Sequence, residues 1–471
     1  MMAMIRNGER VDFATQLRLT LYLSVPSMVA QLSAIAMQYI DAAMVGSLGA
    51  ESSAAIGLVS TTTWLFWGFL SAAATGFSVQ VAHLIGANNA AGARSVLRQS
   101  IVAVLLFSIA GGALGVSISG PLPGWLGGDE SIRVEASGYF RIFAFFLPAL
   151  QFSFLSGAML RCAGNMKVPS MMGVAMCMLD VAFNFLLIFP TRELSIGSLS
   201  LTMPGAGLGV KGAALATVMA ETKVAGVLTW YMVKRSDLLK LSQEQGSYRP
   251  RRNTLVSAVR IGLPMGLEHA AISGAQIMTT VIVAPLGIVA IASNAFAVIA
   301  ESICYMPGYG LGEAATTLAG QCYGARRYSL VSRFGNITVG AGMAIMGAMG
   351  IVMYLLAPQI MAIMSPVEDI RTLGVEILRI EAWAEPMFGA AIVAYGFFIG
   401  LGRTIAPATL NLLSIWGVRL TLAALLAPTM GLVGVWLAMC IELCLRGLVF
   451  LILLIVNRSR MHRLENSLNN Q

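Results

Sequence analysis

What most limits the folds open to this chain is a near-continuous succession of apolar runs, each long enough to cross a lipid bilayer. Residues 101–116, 344–357 and 448–456 are examples. With their small flanking residues, such runs reach the roughly 20 residues that a spanning helix needs. About twelve can be placed, at 17–46, 53–82, 96–120, 137–160, 169–190, 210–233, 258–284, 288–319, 334–358, 374–400, 408–428 and 432–456. Apolar residues make up 57% of the chain and charged residues only 11%, and the mean hydropathy is +0.78, far outside the range of soluble globular proteins. The expected fold class is therefore an all-α polytopic membrane protein with twelve transmembrane helices. The first apolar run lacks the short core and small-residue cleavage site of a signal peptide, so it is expected to remain as a helix.

The net charge of +8 raises the question of nucleic acid, and the placement of the charges answers it. Lys and Arg are grouped by connection: Arg6 and Arg10, Arg94 and Arg98, Arg161 and Lys167, the run from Lys234 to Arg252, Arg326 to Arg333, Arg403, and Arg458 to Arg463. These groups occupy the termini and every second loop, while the alternate loops hold little beyond Arg133, Arg192 and Arg371. By the positive-inside rule, both termini and the loops after helices 2, 4, 6, 8 and 10 are expected in the cytoplasm of a cell whose inner membrane holds the chain. The basic balance points to anionic membrane lipid as a partner and not to nucleic acid. The six cysteines show neither metal-ligand spacing nor a disulfide framework.

Self-similarity is the next constraint, because transporters are often built from duplicated halves. Pro26 and Pro264 are 238 residues apart (264 − 26 = 238), and the same offset relates Gly49 to Gly287, Gly86 to Gly324, Pro148 to Pro386, Gly164 to Gly402 and Pro169 to Pro407. Beyond Gly212 and Gly434 the offset is 222 (434 − 212 = 222). The 16-residue difference (238 − 222 = 16) falls in the 191–209 connection, whose alternating sequence TRELSIGSLSLTMPG suits a short hairpin and an ordered coil equally. Six helices per half put both halves in the same orientation, as two parallel-related six-helix lobes with a cleft between them. The expected division is an N-terminal lobe at 1–237, a cytoplasmic linker at 238–257 and a C-terminal lobe at 258–471.

An ionisable group at the bilayer centre costs roughly 2.5–3.5 kcal/mol on insertion scales and so needs a partner, water or a function. In the first half these groups are Asp41 in helix 1 and Asp180 in helix 5, with Asn184 one turn away and Thr217 in helix 6. Glu221 and Lys223, two residues apart in helix 6, do not face each other and receive no assignment. The repeat acts as a control: Asp41, Asp180, Asn184 and Thr217 map to Thr279, Val418, Leu422 and Met439. Two carboxylates, an amide and a hydroxyl make an oxygen-rich set suited to Na⁺ or to a shared proton, or else an interhelical hydrogen-bond network. The second half has its own acids, Glu268, Glu301, Glu313, Glu381, Glu385 and Glu442, none with a carboxylate at the matching first-half position. Glu301, Glu385 and Glu268 are candidates for the substrate path, Glu385 because it precedes the helix-breaking Pro386. His269 beside Glu268 suggests either a proton relay or a packed histidine. Trp64, Trp67, Tyr305, Met306 and Tyr309 suit an adaptable apolar wall or ordinary packing.

Five stretches, PSMVAQLSAIAMQYIDAAMVGSLGAESSAAIGL, VAHLIGANNAAGA, LRCAGNMKVPSMMGVAMCMLDVAFNFLLIF, GVKGAALAT and MPGYGLGEAATTLAGQCYGARR, together resemble the signature regions of the multidrug and toxic compound extrusion (MATE) family, closest to its DinF-like prokaryotic branch. The resemblance covers nearly the whole chain. It implies a monomeric, cation-coupled antiporter, driven by Na⁺ or H⁺ without a cofactor, that exports small organic, cationic or amphipathic compounds by alternating access. It also implies a cation site on Asp41, Asp180, Asn184 and Thr217. In helix 5 the family order is Asn and then Asp, whereas this chain reads Asp180 and then Asn184. The branches with a second-lobe site pair a helix 7 Glu with a helix 10 Asp; Glu268 fits loosely, and helix 10 here offers only glutamates.

The main alternative is a flippase for lipid-linked precursors, a function found in the same exporter superfamily. It would need cationic groups in the cleft, for which Arg141, Arg379, Arg419 and Arg446 are the candidates, whereas most interior polar groups are acidic. No Walker-type loop, HExxH helix or hydrolase constellation argues for an enzyme. The GLGVKG match to a GxGxxG pattern stands at the start of helix 6 with no βαβ unit around it.

Overall fold

The computed structural model describes residues 2–196 and 199–469. Its spanning helices are α1 (Phe13–Gly46), α2 (Ala50–Gly86), α3 (Ala90–Ile118), α4 (Glu130–Phe145 and Leu147–Cys162), α5 (Lys167–Leu187), α6 (Gly209–Lys234), α7 (Arg252–Val283), α8 (Ile288–Gly324), α9 (Tyr328–Met364) and α10 (Glu368–Glu381 and Glu385–Gly400). α11 begins as Ile405–Leu413, passes through a π-helical turn at Ser414–Arg419 and runs on to Gly431. There the backbone leaves helical geometry (φ 60°, ψ −141°) and α12 begins, ending at Asn469. The fold is the expected all-α membrane protein, with twelve helices in two lobes. Most helices outrun their apolar segments by several residues, as α7 does in starting at Arg252 and not at 258, because a polar turn continues a helix at little cost once its hydrogen-bond ladder exists.

Proline and glycine explain the breaks. α4 bends by 51° and α10 by 58°, and in each the second half opens with a proline at its N-terminal turn, Pro148 and Pro386. There the missing N–H costs nothing. The left-handed backbone positions also come in repeat pairs: Gly49 and Gly287 (φ 121° and 98°), Asn88 and Arg326 (59° and 56°) and Gly164 and Gly402 (91° and 70°) at the 238 offset, then Gly209 and Gly431 (55° and 60°) at the 222 offset. The length difference between the halves is taken up by an antiparallel hairpin of β1 (Pro190–Ile196) and β2 (Leu199–Ala206). The hairpin form of that loop is the one adopted.

The lobes grip each other in a swapped, symmetric way: α1 packs on α8, α7 packs on α2, and α2 meets α8 on the axis. Close backbone approach at the ends carrying the basic loops depends on a pair of equivalent glycines. A Cβ on Gly86 would lie 2.1 Å from Gln321 O, and one on Gly324 would lie 2.0 Å from His83 O; His83 and Gln321 are themselves repeat equivalents. Their side chains cross the interface in the same way. His83 Nε2 donates to Gly400 O, and Gln321 Nε2 donates to Cys162 O, both at 2.8 Å, and Gly400 and Cys162 are again 238 apart. Small residues that let backbones touch and polar side chains that bond across helices are the usual means of association in lipid. The basic ends are thereby locked together.

Candidate cation-binding site

Three helices of the first lobe bring the predicted polar set together. α5 places Asp180 and Asn184 one turn apart on the same face, and α1 presents Asp41 to them. Asn184 Nδ2 uses both of its hydrogens, donating to Asp41 Oδ1 at 2.7 Å and to Asp180 Oδ2 at 3.0 Å. Asp180 and Asn184 are 0% and 1% exposed. Asp180 Oδ1 and Asn184 Oδ1 have no protein partner, so two acceptor oxygens remain free at a buried site. Thr217, on α6, donates its hydroxyl to Ala213 O at 3.3 Å, which leaves its oxygen lone pairs available. Asp180, fully buried, and Asp41, half-buried beside it on the cavity wall, are joined through one amide, and joint ionisation is disfavoured without a compensating cation or proton.

Asp41, Asn184 and Thr217 face a cavity of about 420 Å³ that also meets Gln38, Ser53, Ser60, Trp64, Trp67 and Tyr139. It is lined by the end of α1, the start of α2, the end of α5 and the start of α6, so it lies toward the ends opposite the interlobe lock. The lining tryptophans are the predicted pair Trp64 and Trp67, tilted against each other at 5.9 Å between ring centroids. Tyr139 and Gln38 carry no charge near neutral pH, so intramembrane charge, the sequence signal that marks Asp41 and Asp180, does not mark them. Among the described residues no three His, Cys, Asp or Glu side chains form a metal-binding group. The two-carboxylate, amide and hydroxyl set suits a monovalent ion or a proton.

A second cavity of about 380 Å³ lies between the lobes. Glu268 reaches it, accepting from Asn411 Nδ2 at 2.5 Å and from the Tyr395 hydroxyl. Tyr309 and His269 also line it, and His269 packs where a Cβ on Gly68 would fall, 2.6 Å from the His269 Cβ. Across this cavity Arg161 Nε and Glu313 Oε1 are 3.6 Å apart. Glu313 also accepts from Ser27 of α1. Arg161 counts by sequence as a loop charge, and only the three-dimensional arrangement turns it into an interlobe group. The other substrate-path candidates lie elsewhere. Glu301 and Glu385 are buried in the second lobe, where Glu385 has no hydrogen-bond partner for either oxygen, and neither lines a cavity described here. Tyr305 reaches the cavity only indirectly, by edge contacts with Tyr309 and Phe388. Of the arginines that would serve a phosphate ligand, Arg446 alone lines this space, and it lies 3.1 Å from Glu442, which Arg419 also holds at 2.6 Å.

The MatE family model matches this chain twice, over residues 26–186 and 264–425, and the two matches begin 238 residues apart. The chain belongs to the MATE family. It is 26% identical to a probable multidrug resistance protein NorM of Thermotoga maritima over 434 residues, covering 90% of this chain and 89% of that one. It is 27% identical to a Pseudomonas aeruginosa protein of the same name, covering 89% and 85%. Among solved structures, an outward-facing multidrug resistance MATE family transporter superposes with a TM-score of 0.87 at 21% identity, covering 97% of this chain and all of that one. The bent form of the Vibrio cholerae MATE transporter VcmN superposes with a TM-score of 0.84 at 16% identity, covering 96% and 99%. This MATE chain thus shares the family fold along almost its whole length.

Proposed function

We propose that this MATE chain is a monomeric, cation-coupled antiporter that exports small organic, cationic or amphipathic compounds across a bacterial inner membrane by alternating access, with both termini in the cytoplasm and no cofactor. The observation that carries this reading is the Asp41–Asn184–Asp180 cluster. It has two carboxylates bridged by one amide and two free oxygens, it borders a cavity, and it is confined to one of two otherwise equivalent lobes. A buried pair of acids must hold a proton or a monovalent cation to be neutral, so binding of an organic cation nearby and release of that ion are energetically linked. The lock at the basic ends and the cavity toward the opposite ends support a state that is closed to the cytoplasm. The names of the relatives, probable multidrug resistance proteins, support the substrate class. Flippase chemistry is less well supported, because Arg161 and Arg446 are each set against a glutamate and leave little free positive charge for a pyrophosphate.

The test is transport by purified protein in liposomes, following a fluorescent organic cation such as ethidium under an imposed Na⁺ gradient or pH gradient. Export driven by one of the two gradients is expected. Export that ignores both would overturn the antiporter reading.

A further inference from the structure

One buried acid of the first lobe takes part in none of these contacts. Glu221 sits on α6 one turn beyond Thr217 toward the basic end. It is 8% exposed, on a helix that packs against both α5, which carries Asp180, and the second half of α4, which carries Ser153; Asp180 Oδ1 has no protein partner. Polar contacts between α4, α6 and the α4–α5 turn continue in the same direction. Ser156 Oγ and Thr229 Oγ1 are 2.9 Å apart, and Asn165 Nδ2 donates to the Tyr231 hydroxyl at 3.4 Å. The repeat again supplies the control: Glu221, Ser153, Ser156 and Thr229 correspond to Leu443, Ala391, Ala394 and Leu451. The second lobe builds the same helix contact from apolar residues, so packing does not require the polar ones. They occur only in the lobe that holds the Asp41–Asp180 pair.

We propose that Glu221 is an inner proton station, which receives the proton from Asp180 and passes it toward the basic end along the Ser156–Thr229 and Asn165–Tyr231 contacts. The transfer balances without any co-reactant: the O–H bond of the Asp180 carboxyl breaks, one forms on the Glu221 carboxylate, and the negative charge moves from Glu221 to Asp180. The titratable groups facing Glu221 are Asp180 and Cys177, both on α5; α4 presents the Ser153 hydroxyl. Lys223 is turned away, its ammonium 4.5 Å from the centre of the Phe183 ring. Paired hydroxyls suit a proton, which needs only a chain of donors and acceptors, better than Na⁺, which needs several oxygens around one point.

This inference rests on Asp41 and Asp180 being the coupling site, and its test separates the two ideas. Ethidium export driven by a pH gradient and gradient-free ethidium exchange would be measured in liposomes for wild type, Glu221→Gln, Glu221→Leu and Glu221→Asp. Gln and Leu are expected to lower net export by about 100-fold, the lower end of what a positioned proton-transfer group contributes. Exchange and thermal stability should stay at wild-type values, Leu being the residue the second lobe already uses, and Asp should restore export. Wild-type export in the Gln variant, or an equal fall in exchange, would overturn the inference. If the wild type answers only to Na⁺, the proton station falls and the antiporter stands; if it answers to neither gradient, the antiporter reading itself falls.

Discussion

Where the first lobe has Ala214 on the wall of its cavity, the second lobe has Trp436, 2% exposed, its indole donating to Asn294 Oδ1 at 2.9 Å. Around that tryptophan, Met439 and Leu422 replace Thr217 and Asn184, and an apolar cluster with Met353, Ile377 and Leu378 fills the space. The segment of α11 equivalent to the Asp180 turn of α5 winds as a π-helix and delivers Arg419 to Glu442. Two copies of one backbone thus hold opposite contents, a cavity bordered by uncommitted acids in one and, in the other, a packed core beside the Glu442–Arg419–Arg446 pairing, with Glu381 and Glu385 sealed in the protein away from either cavity. The shared fold therefore belongs to the gripping of lobe on lobe, and the ion coupling proposed above rests on what differs.

The largest effect should come from erasing that difference. Ala214→Trp puts an indole beside Asp41, and gradient-driven export should fall to the level of empty liposomes while the protein still folds, as the second lobe does with the same residue. The reverse exchange, Trp436→Ala, should cost about 3–5 kcal/mol through the cavity it leaves, read as a lower Tm, with ion coupling retained in the protein that remains folded. Smaller and matched effects are expected where the lobes are alike. Gly86→Ala and Gly324→Ala each drive a Cβ into the other lobe's backbone and should each cost about 1–3 kcal/mol, with nearly equal shifts in Tm; a large inequality would break the symmetry argument. Least costly are His83→Ala and Gln321→Ala, about 0.5–1.5 kcal/mol each for one interlobe hydrogen bond, visible as faster labelling of cysteines introduced near the basic ends.

Sequence made the repeat legible because its markers, glycine at positive φ and proline at a helix start, have few substitutes. The first-lobe site was legible for a related reason: a buried acid whose repeat partner is Thr279 or Val418 serves something other than the fold. The contacts around the interlobe cavity were not. Nothing local in the sequence says that Arg161 meets Glu313 or that Asn411 and Tyr395 meet Glu268, since each contact joins helices far apart in the chain. The His83–Gly400 and Gln321–Cys162 pair did leave a trace, as two nitrogen donors at one repeat position. For Glu385 a kink next to an acid suggests an open cleft, whereas in this structure α9 closes over the bend through Gly350, where a Cβ would lie 2.9 Å from the Glu385 Cβ.

The most direct test compares the two lobes' acids in one assay, export of ethidium from liposomes under whichever gradient drives the wild type. Asp41→Asn should reduce export to background with membrane insertion intact, while Glu268→Gln should retain a measurable ion-driven rate. Full activity in Asp41→Asn, or loss of coupling only in Glu268→Gln, would contradict the assignment of the coupling ion to the first lobe.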